Sequence, residues 1–149
     1  MISKIKLFWE LPLREKRLFV EAWFLLGLMR VLIKTVSFKR LTRSLRQSSP
    51  DVELSTLNED EAAVAAQVGE IIGRAASNTP WESACLAQAL TAQRMLKKRG
   101  IPGVFYLGVM KDKENDKNVR GHAWSQCDET IITGAKGHED YTVVSVYRW

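Results

Sequence analysis

Cysteine and histidine are both scarce in this chain, with two of each in 149 residues. Cys85 and Cys127 cannot build a disulfide scaffold, and no cleavable secretory signal opens the chain, because acidic residues and Pro12 interrupt the N-terminal apolar positions. A reducing, cytoplasmic setting is therefore expected. Neither cysteine has a second cysteine or a histidine at ligand spacing, so no zinc motif is present and no cofactor is called for. Long apolar runs are lacking too. The longest, Ala22-Trp23-Phe24-Leu25-Leu26-Gly27-Leu28-Met29, is bounded by Glu21 and Arg30 and falls far short of the roughly 20 residues that span a bilayer.

Acidic residues are sparse in the first third. Residues 1–49 hold 11 Lys/Arg against 3 Asp/Glu (+8), residues 50–84 hold 1 against 7 (−6), and residues 85–149 hold 10 against 7 (+3). The total is the formal +5, but the charge is strongly segregated. A basic third suits an acidic partner or an anionic membrane face, unless it is simply the solvated side of ordinary helices. Nucleic acid is not expected as a partner, since no nucleic-acid-binding motif accompanies the charge.

What is present divides the chain in three. Residues 13–46 read as one or two helices: Leu18, Ala22, Leu25, Met29, Leu32 and Val36 recur at helical spacing, with cations interspersed. Apolar residues lie nearly all round this segment, which predicts packing on the chain's own core ahead of weak membrane association or partner binding. Residues 47–58 are polar and turn-rich and read as a linker. A helix then starts at Asn58, with Glu61 three residues on as in a capping box and Glu59 and Asp60 complementing the helix dipole.

The remainder, within a compact unit over 59–149, carries the chemistry. Thr79-Pro80-Trp81-Glu82 and Ser83 are alternative helix starts ahead of Cys85. The later start is preferred, since it sets Cys85 in the first turn, where free N–H groups and the dipole favour a thiolate. Lys97-Lys98-Arg99-Gly100 stops the helix. Strands follow at Gly103–Met110, His122–Cys127, Thr130–Thr133 and Tyr141–Tyr147, with a hairpin at Asp128-Glu129 and a charged loop over Lys111–Gly121. Helices followed by strands predict an α+β fold with an antiparallel sheet.

A thiol needs a base, and the imidazole of His122 opens a strand downstream of Cys85. Gly121 before it suggests close approach of another backbone. A lone cysteine on an amphipathic helix is usually an inert core residue, and that reading is kept for Cys127. For Cys85 the surrounding motif reverses it.

Trp81-Glu82-Ser83-Ala84-Cys85-Leu86-Ala87-Gln88-Ala89-Leu90, then Gly100-Ile101-Pro102, Leu107-Gly108-Val109 and His122-Ala123-Trp124, resembles the transglutaminase-like proteases of lasso-peptide biosynthesis, as do Leu13-Arg14-Glu15-Lys16-Arg17 and the helix after them. The resemblance implies a transglutaminase-like, papain-like core. It implies a leader peptidase with Cys85 as nucleophile and His122 as base and then acid. It also implies three partners: a precursor peptide, a separate leader-recognition protein and the lasso cyclase. Arg14, Arg17, Arg30 and Lys34 are the expected docking charges. The family's orienting Asp has no counterpart in Ile132-Thr133-Gly134-Ala135. Asp140 is the substitute chosen from His138-Glu139-Asp140; the alternative is a backbone carbonyl that orients the ring.

Overall fold

A computed structural model describes residues 6, 8–81, 84–114 and 117–149. Its first long element, α1 (Leu13–Thr35), buries Leu18, Ala22, Leu26 and Met29 along one stripe and ends where Val36 turns extended. A single turn, α2 (Phe38–Leu41), follows. Next comes a three-residue strand, β1 (Arg46–Ser48), so the first residues of the expected linker belong to the sheet. The rest of that stretch is not free either: Val52 and Leu54 pack on the sheet, and the Leu57 N–H donates to the Asp128 carboxylate at 3.0 Å.

Helix α3 (Glu59–Ala76) starts as its sequence predicts. The Asn58 side chain accepts from the Glu61 N–H at 2.9 Å, and the Glu61 carboxylate accepts from the Asn58 N–H at 3.0 Å. Helix α4 (Cys85–Lys98) ends at Gly100, whose φ of 70° suits glycine. Four strands complete the chain: β2 (Val104–Lys111), β3 (Val119–Cys127), β4 (Thr130–Thr133) and β5 (Thr142–Arg148). Strand β3 begins three residues earlier than its apolar run indicates, because the full length of β2 pairs with it. Val119-Arg120-Gly121 thus extend a hairpin into a stretch that the composition alone reads as loop.

The sheet is antiparallel throughout, in the order β1-β5-β2-β3-β4. One face carries the helices. Leu18, Ala22 and Leu26 of α1 meet Val68, Ile71 and Ile72 of α3 and Met95 and Leu96 of α4, while Met29 and Leu90 meet Phe105 and Ala123 of the sheet. Burying a side chain such as Phe105 stabilises the fold by about 2–3 kcal/mol. The other face holds Val104, Tyr106, Trp124 and Val146 beneath the 52–54 segment. Glu21 of α1 binds Arg99, just past α4, at 2.7 and 3.2 Å, which ties the first helix to the end of the cysteine helix. That guanidinium holds the Glu21 carboxyl below its usual range despite partial burial.

Candidate active site

Cys85 is the first residue of α4, half-buried, and the residue before it, Ala84, is extended at φ −64°, ψ 162°. The first helical bond runs from the Gln88 N–H to the Ala84 carbonyl, so the N–H groups of the opening turn are left without helical partners around the thiol. The start falls one residue past Ser83, the later of the two caps the sequence offers. The helix does not begin at Thr79, whose hydroxyl lies within hydrogen-bond distance of the carbonyls of Ala76 and Trp81. Glu82 and Ser83, the other capping residues named above, lie outside the described residues.

No side-chain cap bond holds Ala84, and tertiary packing sets the approach to Cys85 instead. The Trp81 ring lies 4.7 Å from Trp23 between centroids and rests over Gly27 of α1. A Cβ on Gly27 would stand 3.0 Å from that ring. Glycine inside a helix costs about 0.5–1 kcal/mol; here it makes the notch that takes the indole.

His122 sits on β3 opposite Gly108 of β2. Its Nε2 lies 2.7 Å from the Gly134 carbonyl oxygen. A carbonyl can only accept, so Nε2 carries the proton and, in the neutral ring, Nδ1 keeps the lone pair. The imidazole is flanked by the rings of Trp124 and Tyr141, at 5.7 and 5.0 Å between centroids. Gly108 lets these rings close in: a Cβ there would come within 2.8 Å of both the Trp124 ring and Tyr141. Gly134 is constrained twice, by a φ of 74° and by the Ala123 carbonyl oxygen that any Cβ would run into.

Asp140 does not orient the ring. It lies exposed in a 3-10 turn (His138–Asp140), and its carboxylate makes no hydrogen bond or ion pair among the described residues. The proton it was expected to receive goes to Gly134. His138 bonds the Ala135 carbonyl at 2.6 Å through Nδ1 and lies 5.6 Å from the Trp124 ring. Gly121 is also not a close-contact glycine, since the nearest atom to a Cβ there would be 4.0 Å away.

Cys85 and His122 share no hydrogen bond among the described residues. Cys85 packs with the cluster of Leu90, Phe105 and Ala123 on the helix side. His122, next in sequence to Ala123, alternates to the other side of β3 with Trp124. Cys127 is fully buried, and burial, with the Asp128 charge second, pushes its thiol up to about 12. The expected docking charges do not form one patch. Arg14 lines a cleft with Asp60, Gln67 and Glu70 of α3, and Arg14 and Arg17 line another with Val64 and Arg99. Arg30 and Lys34 lie more than three turns further along α1.

The family model of the transglutaminase-like superfamily matches residues 25–146, taking in Cys85, Gly108, His122 and Gly134. The chain belongs to the transglutaminase-like superfamily. This superfamily includes cysteine proteases, and the α+β architecture described above is consistent with it. No curated protein and no solved structure is significantly similar to the chain. The superfamily match begins inside α1 and runs through the 47–58 stretch. Among the residues that shape the site, Gly134 and the pairing of Gly27 with Trp81 have no signature in the one-dimensional pattern, whereas Gly108 and Trp81 each sit in a motif quoted above.

Proposed function

We propose that this transglutaminase-like protein is a cysteine protease that removes the leader from a lasso-peptide precursor, with Cys85 and His122 acting as a dyad. The observation that carries the reading is the His122–Gly134 bond, which fixes the ring and leaves Nδ1 as the available base. The thiol proton passes to Nδ1, and the thiolate attacks the carbonyl carbon at the leader–core junction. The N–H of Cys85, free at the helix start, supplies a donor to the oxyanion. Collapse expels the core amine, which takes the proton from the imidazolium, and water then hydrolyses the thioester to release the leader and restore the thiol. Proton transfer requires thiol and Nδ1 to come into hydrogen-bond reach, a contact that in many enzymes tightens only when substrate is bound.

The resemblance to lasso proteases supports a separate recognition protein that presents the leader, and a cyclase that takes the product. Presentation raises effective concentration without any new contact at the scissile bond. Mass spectrometry of precursor incubated with the protein and the recognition protein tests the reading. Leader removal is expected from the unaltered chain and from Cys127→Ala, and none from Cys85→Ala or His122→Ala. A thiol alkylating agent should label Cys85 well ahead of the buried Cys127. Full cleavage by Cys85→Ala overturns the proposal. A second reading, a non-catalytic peptide-binding protein on the same fold, draws on the unbonded state of Cys85 and His122. It is favoured if precursor binds but is never cut, with or without the recognition protein.

A further inference from the structure

Helix α1 is apolar nearly all round, yet the fold covers only one side of it. Leu18, Ala22 and Met29 point into the core. On the opposite side Leu13, Val20, Phe24 and Val31 form a narrow line, with Leu28 at its border. Their exposures are 66%, 44%, 67% and 56%, in a chain whose other large apolar side chains are mostly covered. Trp9, just before α1, is 69% exposed as well. From Leu13 to Val31 the line runs roughly 27 Å along the helix axis. Arg17 flanks it on one side and Lys16 and Lys34 on the other, with Arg30 further round. Of the two carboxylates on α1, Glu21 is bound to Arg99 at the margin, and Glu15 lies towards the covered side.

We propose that this outward face of α1 docks the protein on an anionic lipid surface, lying in the plane of the membrane with Leu13, Val20, Phe24 and Val31 in the acyl boundary. No described helix is long and apolar enough to cross a membrane. An apolar line with Lys and Arg along its flanks is the pattern of an interfacial helix, where the long cationic side chains reach back to the headgroups.

Charge and shape favour lipid over a protein occupant. A helical partner would read the seam 13, 17, 20, 24, 27, 31, 34, which Arg17, Gly27 and Lys34 interrupt. The space over Gly27 is already taken by Trp81. A second copy would bring Arg17 against Lys34 when antiparallel, or each cation against itself when parallel, and like charges oppose both. A fluid anionic surface accepts the cations and needs no complementary knobs.

Sedimentation of the full chain with phosphatidylcholine vesicles, with and without phosphatidylglycerol, tests this. Binding is expected to the anionic vesicles only, and to weaken with salt. Arg17→Gln with Lys34→Gln should weaken it roughly fivefold per cation, about 30-fold together. Phe24→Ser with Val31→Ser should abolish it. All four side chains are exposed, so far-UV circular dichroism and the melting temperature should be unchanged in both double variants, and in Phe24→Ser with Val31→Ser cleavage of presented precursor in solution should be unchanged too. Equal binding to both vesicle types, no binding, or binding unaffected by these changes would overturn the proposal. So would concentration-dependent dimerisation lost in Phe24→Ser. Loss of recognition-protein stimulation with vesicle binding intact would assign the face to a protein and equally overturn it.

Discussion

Two glycines near the imidazole should respond in opposite ways to one added methyl group. Gly134→Ala places a Cβ at a φ of 74° and drives it into the Ala123 carbonyl oxygen, which is strand backbone and cannot rotate away. The left-handed conformation alone costs about 1–2 kcal/mol for a residue with a Cβ. Relieving the overlap adds about 1–3 kcal/mol. A loss of about 3 kcal/mol would lower the melting temperature of a chain this size by ~10 °C. Because relief moves the Gly134 carbonyl, the 2.7 Å bond to Nε2 lengthens and the ring loses its one anchor. Misplacing a catalytic group by about 1 Å can cost on the order of 100-fold in rate, so cleavage by the still-folded protein should fall about 10- to 100-fold, with KM little changed. Gly121→Ala, immediately beside His122, meets open space at a φ any residue adopts, and its stability should stay within about 0.5 kcal/mol of the parent. Denaturant unfolding gives both stabilities, and a leader-cleavage assay at a temperature where each variant is folded gives the rates. Native stability and native cleavage in Gly134→Ala would refute the reasoning.

Asp140→Asn, alone or with Glu139→Gln, should leave the cleavage rate within about twofold, because Gly134 already holds Nε2; a fall of several orders, as follows loss of an orienting aspartate, would restore the triad. Glu21 is held below its usual range by Arg99, so the stability it confers is fully present above the ordinary carboxylate pKa and is lost as pH falls through the lowered one. Glu21→Gln should therefore lower stability at neutral pH and flatten that acid limb, as measured by unfolding across pH. Arg14→Glu, in the cleft beside Asp60 and Glu70, should weaken stimulation by the recognition protein, most at low salt, without altering slow cleavage in its absence.

Much of the fold was legible because local rules and tertiary packing agree. Asn58 and Glu61 form the capping box their spacing announces, and Thr130–Thr133 is a strand over the residues its β-branched run marks. Cys85 at a helix start and His122 on a strand were likewise readable from the chain. What hid was everything decided by a distant neighbour. The extension of β3 to Val119 depends on β2 offering a full-length edge, and β1 exists only because β5 pairs with it. The orienting group for His122 is a main-chain oxygen, which every residue possesses and no motif can flag. Gly121 and Gly134 look alike on the line, yet only the second faces the Ala123 carbonyl. Near Cys85 the capping letters gave no sign that the indole of Trp81 packs against Trp23 and Gly27 of α1.

That indole has a consequence for how the protein can be divided. With Trp81 seated against Trp23 and Gly27, the chain four residues upstream of Cys85 rests on a helix more than fifty residues earlier in the sequence. An α1 removed, replaced or shifted along its axis takes the floor from under that stretch, even though it contributes no reacting atom. Trimming the chain to the sheet and the cysteine helix would thus leave Cys85 without the support that α1 gives to Trp81. Inheritance should show the same bond: a larger residue at position 27 is tolerable only alongside a smaller one at 81, so the two positions are free to drift together and not apart.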